Sequence, residues 1–260
     1  MVEQMINKRG QITVFIIIGV VIIAGVVFFF LIANRQTPGI SKPDITNPGP
    51  YIEVCAKNAA VEAIDTMLPQ GGYISPSHYR LYDNDKIQYL CYTNLFYRKC
   101  VNQEPLYIKH LEDEITKNIT SKVENCFSEI KNGLEQEGYN IELGNMNLVT
   151  QLGTGYVRIN IDRKFVMSKQ GETRKIDSFK SVFNSPLYKL GIVGQEIANE
   201  EAKFCYFEYV GFMLLYSDFY ITKKNIDAGI NASKIYSIED KYTKKKLNIA
   251  VRSCAVPPAF

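Results

Sequence analysis

Residues 12–33, ITVFIIIGVVIIAGVVFFFLIA, contain no charged side chain, and no other feature of the chain restricts its possible folds so severely. As an α-helix, the 22 residues from Ile12 to Ala33 would reach roughly 33 Å, against a hydrocarbon core of about 30 Å. Phe15, Gly19, Gly25 and Phe30 lie within the run, and no position opens a polar face. A helix packed on a globular core carries one apolar stripe instead. The expectation is therefore a membrane-spanning helix, in preference to a helix buried inside a globular domain. A cleaved secretory signal is the competing reading, but its apolar region covers about 7 to 15 residues and ends at an A-x-A-like site. The segment LIANRQ offers no such site. Lys8 and Arg9 stand immediately before the run, and only Arg35 and Lys42 follow it closely. That bias places residues 1–10 in the cytoplasm and residues 34–260 outside.

The residues leading into the run add to this. Lys8-Arg9-Gly10-Gln11, followed directly by apolar residues, resembles the class III signal peptide of archaeal type IV pilin-like proteins. The resemblance implies cleavage by a prepilin-type peptidase between Gly10 and Gln11, leaving the whole apolar helix on the mature chain. Loss of the charged arm would free that helix to leave the bilayer and pack against copies of itself in a filament core. At the fifth mature position many pilins carry Glu and this chain has Phe15, so the assembly contact assigned to that Glu is not implied here. The plainer alternative is a signal-anchor helix that is never cut. Gly19 and Gly25 would permit close approach between helices, although their spacing of six is not the G-x-x-x-G pattern. Gly71-Gly72-Tyr73 and the segment VRSCAVPP also resemble membrane-anchored surface proteins of small-genome archaea, which bears on location more than on activity.

Six cysteines, Cys55, Cys91, Cys100, Cys126, Cys205 and Cys254, all follow the apolar run. An even number confined to an exported part reads as disulfides, and no C-x-x-C or Cys/His spacing reads as zinc. Six cysteines allow 15 connectivities. Neighbouring elements favour Cys55 with Cys126, Cys91 with Cys100 and Cys205 with Cys254; reduced, buried cysteines are the other reading.

Residues 34–50 hold four prolines and two glycines and form a semi-stiff linker. An α+β ectodomain of amphipathic helices and antiparallel sheets is expected beyond it, in lobes 51–184 and 185–260. Apolar spacing predicts helices over 51–68 and 106–123, with a short helix near 127–134. A hairpin is predicted around Asn84-Asp85, and 95–103 as a loop returning Cys100 toward Cys91. Period-two alternation predicts a meander from strands at 145–152, 157–168 and 175–183, turned at Gln170-Gly171. A helix is expected over 187–216, its aromatic later half from Phe204 to Tyr216 buried; if exposed, that half would be a subunit interface. Strands at 219–226, 234–240 and 246–254 close the prediction.

Candidate chemistry is sparse. His78 and His110 lack ligand-like or nucleophile-adjacent spacing, and no G-x-S-x-G, H-E-x-x-H or glycine-rich phosphate loop occurs. Neither a cofactor nor a metal is implied. A net charge of +3 demands no nucleic-acid partner. The eight basic residues after Tyr220, against three acids, read as a lysine-guarded sheet edge before they read as a polyanion site. Asn118-Ile119-Thr120 and Asn231-Ala232-Ser233 match the N-glycosylation pattern of an exported glycoprotein. Three function classes remain: a filament subunit whose partners are membrane lipid, the peptidase and copies of itself; a membrane-anchored receptor or adhesin; and an anchored extracytoplasmic enzyme. The first is preferred, and no enzyme activity is expected.

Overall fold

The computed structural model describes residues 17–25, 47–95, 97–227 and 232–254. The chain divides into two units, Met1–Pro43 and Asp44–Phe260. In the first, residues 17–25 are helical (α1) and almost wholly exposed. Among the described residues, a Cβ placed on Gly19 or Gly25 meets nothing within 4 Å. Among the described residues no helix is long and apolar enough to cross a membrane. Gly10, Gln11, Ile12, Phe15, Phe30, Ala33 and Asn231 lie outside the described residues, as does the linker through residue 46.

The second unit is an α+β fold. Helix α2 (Pro48–Met67) starts on Pro48, whose missing N–H is one the first turn would leave unpaired in any case. Its buried stripe is narrow and small-residued: Ile52, Ala56, Ala59, Ala60, Ala63, Ile64 and Met67. That lets α3 (Tyr107–Gln136) lie close against it, and Cys55–Cys126 ties the two at a Cα separation of 6.5 Å. A 3-10 turn (Leu68–Gln70) and Gly71, at φ 76°, end the helix. At Gly72, φ is 81° and an added Cβ would lie 2.5 Å from Tyr107 Oη, so only glycine fits beneath α3.

Helix α3 is continuous for 30 residues, where the sequence suggested a break near residue 124. The stripe Leu111, Ile115, Ile119, Val123 carries on through Cys126, Phe127, Ile130 and Leu134. Interleaved acids and lysines masked it. The helix ends where Gly138, at φ 86°, lets its own N–H reach Glu135 O and that of Tyr139 reach Leu134 O. This is the Schellman arrangement, which satisfies otherwise orphaned carbonyls.

Beneath α2 and α3 lies the expected antiparallel meander. Strand β6 (Tyr156–Lys169) pairs with β7 (Glu172–Asn184) along its length, and with β5 (Asn147–Gly153) and β4 (Asn140–Leu143) in succession. The β6–β7 turn is Gln170-Gly171, both at positive φ. A register shift between Asp162 and Phe165 marks a bulge. There Arg163 takes an inward position otherwise given to Val157, Ile159, Ile161, Phe165 and Met167. Its guanidinium is met by both Glu124 carboxylate oxygens, at 2.7 and 2.8 Å, by Gly144 O at 3.0 Å and by the Phe127 ring.

The other sheet follows the order β1-β2-β10-β9-β8, with β3 against β2. Strands β1 (Tyr79–Tyr82) and β2 (Asp85–Tyr92) form the expected hairpin, its turn made by Asp83 and Asn84 at positive φ, one residue before the expected Asn84-Asp85, because Asp85 already pairs with Tyr82. The expected loop carries a two-residue strand, β3 (Val101–Asn102), beside the Cys91–Cys100 disulfide. Strands β8 (Phe219–Ile226), β9 (Ser233–Asp240) and β10 (Lys246–Val251) are antiparallel neighbours. Among the described strands β2–β10 is the one parallel pair, so the last strand fills the sheet's interior. Since β2 precedes residue 184 and β10 follows it, this sheet draws on both expected lobes, and one hydrophobic cluster runs through α2, α3, α4 (Leu187–Phe204) and both sheets. The helix expected over 187–216 stops at Cys205, which adopts a left-handed φ of 60°, and a separate seven-residue helix, α5 (Tyr209–Leu215), follows.

Candidate functional site: an exposed apolar helix beside a groove

The break at Cys205 has an identifiable cause. Glu201 falls on the buried stripe of α4 after Leu190, Gly194 and Ile197, and is 0 % exposed. One carboxylate oxygen accepts from Lys234 Nζ at 2.6 Å and the other from the Tyr236 hydroxyl. Lys234 also donates to Cys205 O at 2.6 Å, holding the first carbonyl beyond the helix. Cys205 is bonded to Cys254 across a Cα distance of 5.7 Å. Beside them the Ser253 hydroxyl donates to Glu201 O and accepts from Cys100 N. Burial, then the adjoining Glu201 carboxylate, pushes the Tyr236 phenol far above its ordinary range.

Beyond this clamp the chain turns outward. Phe207 is buried, 4 % exposed, its ring 6.2 Å from Tyr236 and 5.3 Å from Phe212, and Tyr209, Phe212 and Met213 are half-buried against the core, with Met213 Sδ accepting from Ile221 N at 3.0 Å. Helix α5 is capped by Glu208, which accepts from Gly211 N at 3.2 Å and from the Tyr206 hydroxyl at 2.5 Å. Those bonds, the Tyr206 one foremost, hold the Glu208 carboxyl below its ordinary range. No residue of α5 is buried. Leu214 and Leu215 are each 81 % exposed, and Phe204, Tyr206, Val210 and Tyr216 are also exposed. Burial of 204–216 was the preferred expectation; the structure buries Phe207, leaves Tyr209, Phe212 and Met213 half-buried against the core, and exposes Phe204, Tyr206, Val210, Leu214, Leu215 and Tyr216. The inner side of α5 does not close on α4 either. A groove of about 460 Å³ separates them, lined by Tyr188, Ile192, Val193, Phe212, Tyr216 and Phe219. Its rim carries Glu196 and the Lys189–Asp218 ion pair. Lys203 lies over Phe204, and Lys223 over Tyr206 and Tyr209.

Such a surface offers apolar contact, aromatic faces and a few charges. The other buried polar cluster is equally committed to structure. Tyr73 donates to Glu104 at 2.5 Å, His110 Nε2 lies 3.0 Å from Gly72 O, Tyr107 donates to Gly71 O and Ile74 N donates to Glu114. Together these fix the 71–74 turn. His78 packs among Tyr89 and Tyr92. Among the described residues no three potential ligands converge as a metal site.

The basic residues after Tyr220 are individually engaged. Lys224 meets the Tyr82 hydroxyl, Lys241 meets Ser217 O, Lys244 and Lys246 share Glu239, and Lys245 pairs with Asp65. Asn118 is half-buried within α3, and Thr120 donates to Thr116 O one turn back. All three disulfides have the pairing favoured from the sequence, whereas the Glu201–Lys234–Tyr236 clamp carried no local signal. No family model matches the chain, and no curated protein or solved structure is detectably similar to it.

Proposed function

We propose that the chain is a structural subunit of an archaeal type IV pilin-like surface filament or tube. On this reading the apolar helix of residues 12–33 packs with copies of itself in the core, after a prepilin-type peptidase cuts between Gly10 and Gln11. The disulfide-stapled ectodomain then forms the outer surface. Before cutting, the chain sits in the cell membrane with a cytoplasmic N-terminus and an extracellular C-terminal part.

The observation that carries the proposal is the Lys8-Arg9-Gly10-Gln11 arm set directly against an uncharged run. Support comes from α5: three disulfides secure the domain, yet Val210, Leu214 and Leu215 on the outer face of this helix are left exposed. Exposed apolar patches of this kind mark interaction surfaces. The second reading, a non-assembling anchored receptor or adhesin, draws on the same helix and groove, with a different protein as the occupant.

Intact-mass and N-terminal analysis of protein from the native cell surface, with negative-stain imaging of the same fraction, tests the proposal. A chain beginning at Gln11 that co-purifies with filaments or tubes is the expected result. An uncut chain, monomeric and confined to detergent-soluble membranes, would overturn it in favour of the receptor.

A further inference from the structure

We infer that the α4–α5 groove receives the Leu214–Leu215 edge of a second copy of this chain, making α5 the side-to-side contact between neighbouring ectodomains. The inference rests on the proposed function for the means of gathering the copies, and on geometry for the contact itself.

Three observations select a second copy as the occupant. First, the chain carries both halves of the contact. Phe212 and Tyr216, four residues apart, share the face of α5 that lines the groove. Val210 and Leu214 share the opposite face, and Leu215 closes the solvent-exposed end of the helix. The groove's 460 Å³ falls within the roughly 300–1,000 Å³ of clefts that bury a compact apolar group.

Second, the charges around the patch are mixed. Lys203 and Lys223 flank its aromatic rings, while Glu208 and Glu196 lie at the cap and the rim. A second copy can oppose lysine to glutamate, and a net charge of +3 over the whole chain sets up little repulsion between copies. A polyanionic or strongly cationic partner would leave half of these charges opposed to like charge.

Third, the area is small. Seven helical residues and a groove fall short of the 20–30 residues a side, roughly 800 Å² per partner, that hold a standard complex together in solution. A partner captured from dilute solution would therefore bind weakly. Copies collected by their apolar helices meet at an effective concentration on the order of millimolar, where a small contact repeated along an array is sufficient.

The test uses the full chain in its native membranes, with a photo-crosslinking amino acid at position 214. Irradiation is expected to yield dimers and a ladder of higher products whose joined peptides lie in 188–192 or 212–219 of a second copy. Leu215→Glu should reduce that yield at least tenfold with the thermal midpoint unchanged, because the side chain is already in solvent. Ile192→Glu should do the same from the groove side. Crosslinks only within one chain, to lipid or to a different protein would overturn the inference. The two proposals fail separately: filaments of chains starting at Gln11 without the 214 crosslink remove the groove contact alone. The mapped crosslink between uncut chains, without filaments, removes the filament reading and leaves a membrane-bound pair of copies.

Discussion

Glu201 illustrates how a single carboxylate can decide where a helix stops. Fully buried, it is tolerable only because Lys234 and Tyr236 both donate to it. Replacing Lys234 with Met leaves that charge buried and half-compensated, a change that costs about 3–5 kcal/mol. Urea unfolding should show this loss, and the double variant Glu201→Gln, Lys234→Met should recover part of it, since no uncompensated charge remains. Alkali should act on the same site. The phenols of Tyr236, Tyr107 and Tyr73 are raised above their ordinary 10.0, in each case chiefly by burial. A group whose folded value is raised contributes stability that is complete below its unfolded value and is lost as pH climbs toward the folded one. Stability should thus hold up to about pH 10 and fall above it, and Tyr236→Phe should shallow that fall. At Gly72, alanine would combine a left-handed φ with a clash against Tyr107 and Leu111, lowering stability by about 1–3 kcal/mol in the same measurement. Sequence inspection ended the first helix at residue 68, just before the 3-10 turn and Gly71 that stop it. It offered nothing on Glu201, whose partners lie more than thirty residues away.

Among elements, the strands were the most legible, because alternation in β6 and β7 and positive-φ turns at 83–84 and 170–171 are local signals. Helix α3 was cut short on paper by its charged residues, although its apolar stripe never breaks. The α4–α5 boundary was out of reach for a different reason: residues 204–216 have the hydrophobicity of a helix end, and the interruption at Cys205 depends on Lys234 and Cys254. Helix α5 should accordingly be the least stable of helices α2–α5, held by Phe207, by the half-buried Tyr209, Phe212 and Met213, and by the Glu208 cap. Glu208→Ala should remove the cap and loosen α5 locally. Amide exchange across 209–216 would accelerate while α3 remains protected. A depressed carboxyl value means the cap's contribution is present above the ordinary carboxylate range and is lost as pH falls through the folded value. Exchange in α5 should therefore quicken on acidification before global unfolding begins.

Across the whole molecule, an α+β domain with three disulfides was legible, and how its sheets join was not. Pairing cysteines by neighbouring elements succeeded because each bond closes between segments that also pack together. The parallel β2–β10 contact has no local signature, and it merges the two expected lobes around one core. The 71-residue loop closed by Cys55–Cys126 should make that bond a strong restraint on the unfolded chain. Replacing both cysteines with alanine should cost about 2–5 kcal/mol and lower Tm by roughly 4–20 °C in a thermal melt.

The interior position of β10 also sets an order of events during synthesis. A ribosome releases the chain from its N-terminus, so the six-stranded sheet lacks its middle until residues 246–251 have emerged. Until then β2 and β9 expose edges with no intended neighbour, the condition in which nascent chains mispair or aggregate. A chain arrested before residue 246 would be unable to assemble this sheet, and quality-control proteases would have a means of recognising it by the open edges of β2 and β9.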